Sequence, residues 1–138
     1  MRTKLTILAA VMGLAAVAVP VWAHHAFSAE FDGTKQIKLQ GKVTKMEWIN
    51  PHAWLHIDVK GPDGKVVSWD IELGPPNALV KRGWNKKSIP AGIEVVVEGY
   101  LSKDGSNRAN GRDVMFPDGR KLFASSSNPE APDAGQPK

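Results

Sequence analysis

With 138 residues and a net charge of +4, the chain is long enough for one small domain and too short for two substantial cores. It has no cysteine, which excludes disulfides, a thiolate metal site and a lipid-modified cysteine. Its basic residues are scattered among acidic ones, so the concentrated positive footprint of a nucleic-acid binder is missing.

Residues 1–23 have the three parts of a secretory signal peptide: Arg2 and Lys4, an apolar run from Leu5 to Val19, and Pro20-Val21-Trp22-Ala23 with small residues at the cleavage positions. The alternative is an uncleaved anchor, but the run falls short of the roughly 20 residues a spanning helix needs. Pro20 also closes it. Cleavage after Ala23 makes His24 the first mature residue, removes Arg2 and Lys4, and lowers the net charge to +2. The expected product has no stable membrane span and is periplasmic or secreted.

The mature chain opens on an extended lead-in from Ala26 to Lys38, pinned down by Phe27 and Phe31. A first strand is predicted from about Ile37 to Trp48, with Leu39, Gly41 and Val43 on one face, and Gly41 marking a bulge or bend. Asn50-Pro51 interrupts the pattern. It resumes with Leu55, Ile57 and Val59 on one face and Trp54, His56 and Asp58 on the other. Gly61-Pro62-Asp63-Gly64 is a turn signal, and Val66 to Leu73 reads as the return strand of a hairpin. Val67, Trp69, Ile71 and Leu73 are then expected inside, with Ser68, Asp70 and Glu72 outside.

Beyond the hairpin, Ala78 to Arg82 reads as a short helix, capped by Asn77, stopped by Gly83 and packed down by Trp84. Ile93, Val95 and Val97 line a fourth strand ending near Tyr100, and Arg112 to Phe116 gives a fifth. Residues 125–138 lack hydrophobic periodicity and read as a disordered tail. Three strands, a short helix and two more strands predict an all-β, OB-like five-stranded Greek-key barrel over residues 24–124. Another small barrel or sandwich is the alternative.

The residues His24-His25-Ala26-Phe27-Ser28-Ala29-Glu30-Phe31-Asp32, Gly41-Lys42-Val43, Glu47-Trp48-Ile49-Asn50-Pro51-His52-Ala53-Trp54 and Gly83-Trp84 form a recognisable set. Together they resemble a family of small exported bacterial proteins classed as a domain of unknown function. The resemblance runs from His24 to about Phe123, and its most distinctive part is the Trp-x-Asn-Pro-His segment. It implies export and a single β-rich domain, and it brings no activity with it.

Two constellations carry chemistry. At a mature N-terminus, the α-amino group and imidazole of His24 can chelate one Cu(II) ion, with His25, His52 or His56 adding a further imidazole. In an extended strand His52 and His56 would lie about 13 Å apart and could not share an ion. A folded-back turn at Asn50-Pro51-His52, or a helical turn there, would be needed to join them. The plainer alternative makes His24 and His25 terminal residues, His52 a turn residue and His56 a half-exposed strand residue.

The second constellation is the polar face of the hairpin, where Trp54, Asp70 and Glu72 would hold a cation, a basic peptide or a saccharide beside His56. Glu47, Asp70 and Glu72 could pair with His56 as acid and base, but there is no nucleophile elbow, phosphate-cradling loop or zinc-protease helix. No catalytic residue is predicted. The expected function is an exported binding protein taking copper or another small ligand. The alternative is a metal-free module for a peptide, an envelope protein or a saccharide.

Overall fold

The period-two patterns become six strands in a computed structural model that describes residues 27–125. The signal expected at residues 1–23, both His24 and His25, and all of the tail expected over residues 125–138 except Ser125 lie outside the described residues. In chain order the elements are β1 (Phe31–Glu47), β2 (Trp54–Lys60), β3 (Val66–Glu72), α1 (Pro76–Lys81), β4 (Glu94–Ser102), β5 (Arg108–Met115) and β6 (Lys121–Phe123). The protein is thus mostly β, with α1 and a helical turn over residues 27–30.

That turn corrects the first residues of the expected extended lead-in, while from Phe31 to Lys38 the lead-in is extended and forms the start of β1. A helical turn brings Phe27 against Phe31, four residues on, with ring centroids 5.8 Å apart. Phe27 also meets the edge of Tyr100 at 5.6 Å, so an aromatic contact to β4 joins the hydrogen bond from the Lys103 amide to the Glu30 carbonyl in holding the turn. Asn77 is not the cap of α1. Pro75 takes that place, Pro76 opens the helix, and Asn77 Oδ1 accepts a hydrogen bond from the Ala78 amide at 2.9 Å. The last two long strands also extend further than their apolar residues imply, β4 on to Ser102 and β5 back to Arg108.

Strand neighbours run β3-β2-β1-β4-β5-β6, all antiparallel, and a parallel β3–β5 pairing is added to them. Strands β1, β2, β3, β5 and β4 therefore pair in a closed ring, with β6 attached to β5. Leu55, Ile57, Ile71, Leu73, Val95, Val97 and Val114 are fully or almost fully buried and form the core with Trp84. The indole of Trp84 donates to the Phe123 carbonyl at 3.0 Å, which anchors the segment after α1.

At Gly41 a Cβ would lie 2.7 Å from the Asp58 carbonyl oxygen, so glycine permits the close approach of β1 to β2 there. The register irregularity expected near Gly41 lies between Val43 and Lys45. Ser125 is buried, and its carbonyl accepts from Arg82 Nη1 at 2.8 Å. Among the described residues no helix is long and apolar enough to cross a membrane.

Candidate functional site

Antiparallel pairing of β2 with β3 puts Trp54 opposite Glu72, His56 opposite Asp70 and Asp58 opposite Ser68. Leu55, Ile57 and Ile71 fill the other face and are fully buried. Trp54, Asp70 and Glu72 share one face by register, but two burial expectations are corrected: Val67, expected inside, is 38% exposed near the turn of the hairpin, and Glu72, expected outside, is buried where β3 pairs with both β2 and β5. Hydrogen bonding ties the pairs together: Ser68 Oγ donates to Asp58 Oδ1 at 2.7 Å, and His56 Nδ1 lies 2.6 Å from Asp70 Oδ1.

His52 joins this face from just ahead of β2. Ala53 donates to the Gly74 carbonyl at 3.1 Å and accepts from the Leu73 amide at 2.9 Å, extending the β2–β3 pairing back by one step. Strand alternation then puts His52 on the side of Trp54 and His56. Its Nδ1 lies 3.1 Å from Oε1 of Glu72, a carboxylate left only 7% exposed. The hydrogen bond to Glu72 raises the His52 pKa above its ordinary value, with burial opposing and the charges of Glu72 and Glu30 adding to the rise. Nδ1 is committed to the carboxylate, so Nε2 is the nitrogen left for a ligand.

His56 is held differently. Its Nδ1 is on Asp70, while Nε2 is buried, 3.8 Å from Oε1 of Glu47, with no hydrogen-bond partner among the described residues. Glu47 stands on β1 opposite Trp54 and is also bonded by Lys45, which is the main reason its pKa sits below the ordinary carboxylate value. His56 therefore lies between two carboxylates and links β1, β2 and β3. The two histidines keep separate partners, and no helical turn joins them: residues 48–53 are not helical and the chain is extended from Trp54. Among the described residues, no cluster of three or more His, Asp or Glu is placed to hold a metal ion.

Arg108 and Glu30 complete the face, and sequence reasoning missed both. The parallel β3–β5 pairing sets Arg108 opposite Asp70 and Asn110 opposite Glu72. The Arg108 guanidinium sits 5.3 Å from the Trp54 ring centroid and 6.0 Å from that of Phe31. Its Nη2 is 3.3 Å from Oε2 of Glu30. Glu30 is fixed through its backbone, because its carbonyl accepts the Lys103 amide at 2.9 Å. No local pattern marks either residue, since one belongs to a turn and the other to a strand brought in from far along the chain.

What results is a small β-rich domain with a histidine–carboxylate face spread over adjacent strands and overlooked by one arginine. The chain belongs to a family of unknown function, DUF6152, whose model matches residues 10–111. That span takes in His24, His25 and every residue of the face through Arg108. No curated protein and no solved structure matches the chain.

Proposed function

We propose that this is an exported, periplasmic binding protein that holds one Cu(II) ion between its mature N-terminus and His52. The α-amino group and imidazole of His24 begin the donor set, His25 stands next to them, and His52 Nε2 completes it. The observation that carries this reading is the ion pair of Glu30 with Arg108 at 3.3 Å, which ties the turn over residues 27–30 to the face beside Trp54, the Glu30 charge also adding to the rise in the His52 pKa. His25 is five residues before Glu30, a span of at most about 18 Å of chain. Glu72 holding Nδ1 is the kind of outer partner that orients a metal-binding imidazole. His56 is left out of the donor set because both its nitrogens already face carboxylates and Nε2 is buried.

The fold proposed for this role is an OB-like Greek-key barrel. Support comes from the closed order β1-β2-β3-β5-β4, with α1 between β3 and β4. The test is a competitive Cu(II) titration of protein beginning at His24. Affinity should exceed that of the free peptide His-His-Ala-Phe by about tenfold or more, because the second attachment is intramolecular. His52→Ala should return it to the peptide value and His56→Ala should leave it near wild type. A wild-type protein no tighter than the peptide removes the copper reading.

A second reading uses the same face as a metal-free platform, with Trp54, Asp70 and Glu72 binding a basic peptide, an envelope protein or a saccharide. The observation in its favour is their shared register. A ligand stacking on Trp54 must displace Arg108, so tryptophan fluorescence should change on binding even with a chelator present.

A further inference from the structure

At the opposite end of the β2–β3 hairpin from His52, two adjoining cavities form one open groove. The first, of about 520 Å³, is lined by Lys42 of β1, Asp58 and Lys60 of β2 and Val66 of β3, together with Gln40 and Glu94. The second, of about 390 Å³, shares Gln40 and Glu94 and continues over Val96 of β4 to Met115, Phe116 and Pro117. Strand register accounts for this layout. Lys42 stands opposite both Asp58 and Glu94, so β2, β1 and β4 form one charged row. Gln40 stands opposite Val96 and Val96 opposite Met115, so the next row turns apolar as it reaches β5. Val95 and Val97 are buried, and alternation therefore turns Val96 outward between them. The hydrogen bond from Gln40 to Glu94 joins the two rows where the cavities meet.

Charges at the polar end are unevenly engaged. Asp58 accepts from Ser68 Oγ at 2.7 Å, and Glu94 accepts from Gln40. Lys35, Lys38, Lys45 and Lys121 all have carboxylate partners, whereas among the described residues Lys42 and Lys60 have none. Two ammonium groups thus border one cavity without an anion between them. At the other end Val96 and Met115 are half-buried and Phe116 lies beneath them, 6% exposed. A cationic end and an apolar end in one groove suit a ligand that carries both an anion and a hydrocarbon chain. We propose that this groove is a second binding site, separate from the histidine–carboxylate face, for a fatty acid: the carboxylate lies between Lys42 and Lys60, and the chain runs over β4 to Met115 and Phe116. From β1 to β5 is two strand spacings, about 10 Å, which a medium-length alkyl chain covers and a short one does not. Attraction to the two ammonium groups orients the ligand. Burial of the chain supplies affinity, at most about fourfold per methylene. The site does not depend on the copper reading.

The experiment uses metal-free mature protein beginning at His24, titrated with butyrate, octanoate, decanoate and decanol, each below its micelle or solubility limit. Backbone amide shifts in NMR spectra report both affinity and place. Affinity should rise by about tenfold or more from butyrate to decanoate, with shifts at Lys42, Val96 and Met115. Lys42→Gln combined with Lys60→Gln should weaken decanoate about tenfold and leave decanol unchanged. Met115→Ser should weaken both. These side chains are exposed or half-buried, so the variants should fold, and their melting transitions check it. Decanoate that binds no tighter than butyrate overturns the proposal, because an anion alone, such as the carboxylate of an acidic peptide, then accounts for the binding. Decanoate affinity unchanged in the double lysine variant overturns it as well. So do shifts confined to Trp54 and Arg108, which would put the ligand on the histidine–carboxylate face, or no shift at all with decanoate.

Discussion

His52 and His56 are four residues apart on one face, and their partners give them different roles. His52 has a raised pKa through its bond to Glu72, so protonation and folding favour each other. Its contribution to stability is complete below the ordinary histidine value and is lost as pH rises through the raised folded value. In metal-free protein, the stability gap between wild type and His52→Ala should therefore be widest in mildly acidic buffer and narrow as pH rises. Urea midpoints across that range check the sign.

Asp104 behaves in the opposite sense. Hydrogen bonds from Ser106 and Ser102 bring its pKa down to about 2, so its contribution is present above the ordinary carboxylate value and fades as pH falls toward 2. Asp104→Asn should be less stable than wild type at neutral pH, with the two converging in strong acid. Circular dichroism followed down an acid titration tests this. The effect bears on the candidate site, because Ser102 also reaches the Glu30 carbonyl.

At the scale of elements, close backbone approaches set the tolerances. A Cβ on Gly99 would lie 2.0 Å from the Asn110 carbonyl oxygen, where the β4–β5 register shifts. Gly99→Ala should cost about 1–3 kcal/mol through forced backbone movement, measurable by urea unfolding. The same scale shows what the sequence could disclose. Leu55 and Ile57 against Trp54, His56 and Asp58 is a local alternation closed by a glycine turn, so the hairpin and its polar face were readable from neighbouring residues. Arg108 reaches that face only through the parallel pairing with Asp70, 38 positions away, and nothing around Arg108 encodes it. Glu30 was hidden for another reason. The phenylalanines around it fit a pinned extended segment as well as a helical turn, and Tyr100, a distant partner, decides between them.

At the scale of the whole molecule, the fold holds without a disulfide, and its stability comes from one core shared by the ring of strands. Leu55 is fully buried in that core, directly behind the polar face. Leu55→Ala should cost about 2–5 kcal/mol and lower the unfolding midpoint. The same substitution should weaken ligand binding only to the extent that it unfolds the protein, because Leu55 contributes nothing to the polar side. Thermal melts and titrations run on one sample separate the two effects.

The parallel join between β3 and β5 has one more consequence. It consists of three residue pairs, Asp70–Arg108, Ile71–Ala109 and Glu72–Asn110, fewer than any other join in the ring. Two of those pairs carry side chains of the candidate site, so the ring closes where a ligand would sit. If this short seam opens on its own, at less free energy than global unfolding, Arg108 parts from Trp54 and the face comes apart while the core stays folded. The breathing rate of the seam then sets an upper bound on how long a ligand bridging it can stay. A bound ligand acts in return as a staple, and its dwell time becomes readable as slowed exchange of the Asp70 amide, which donates across the seam to the Asn107 carbonyl at 3.0 Å.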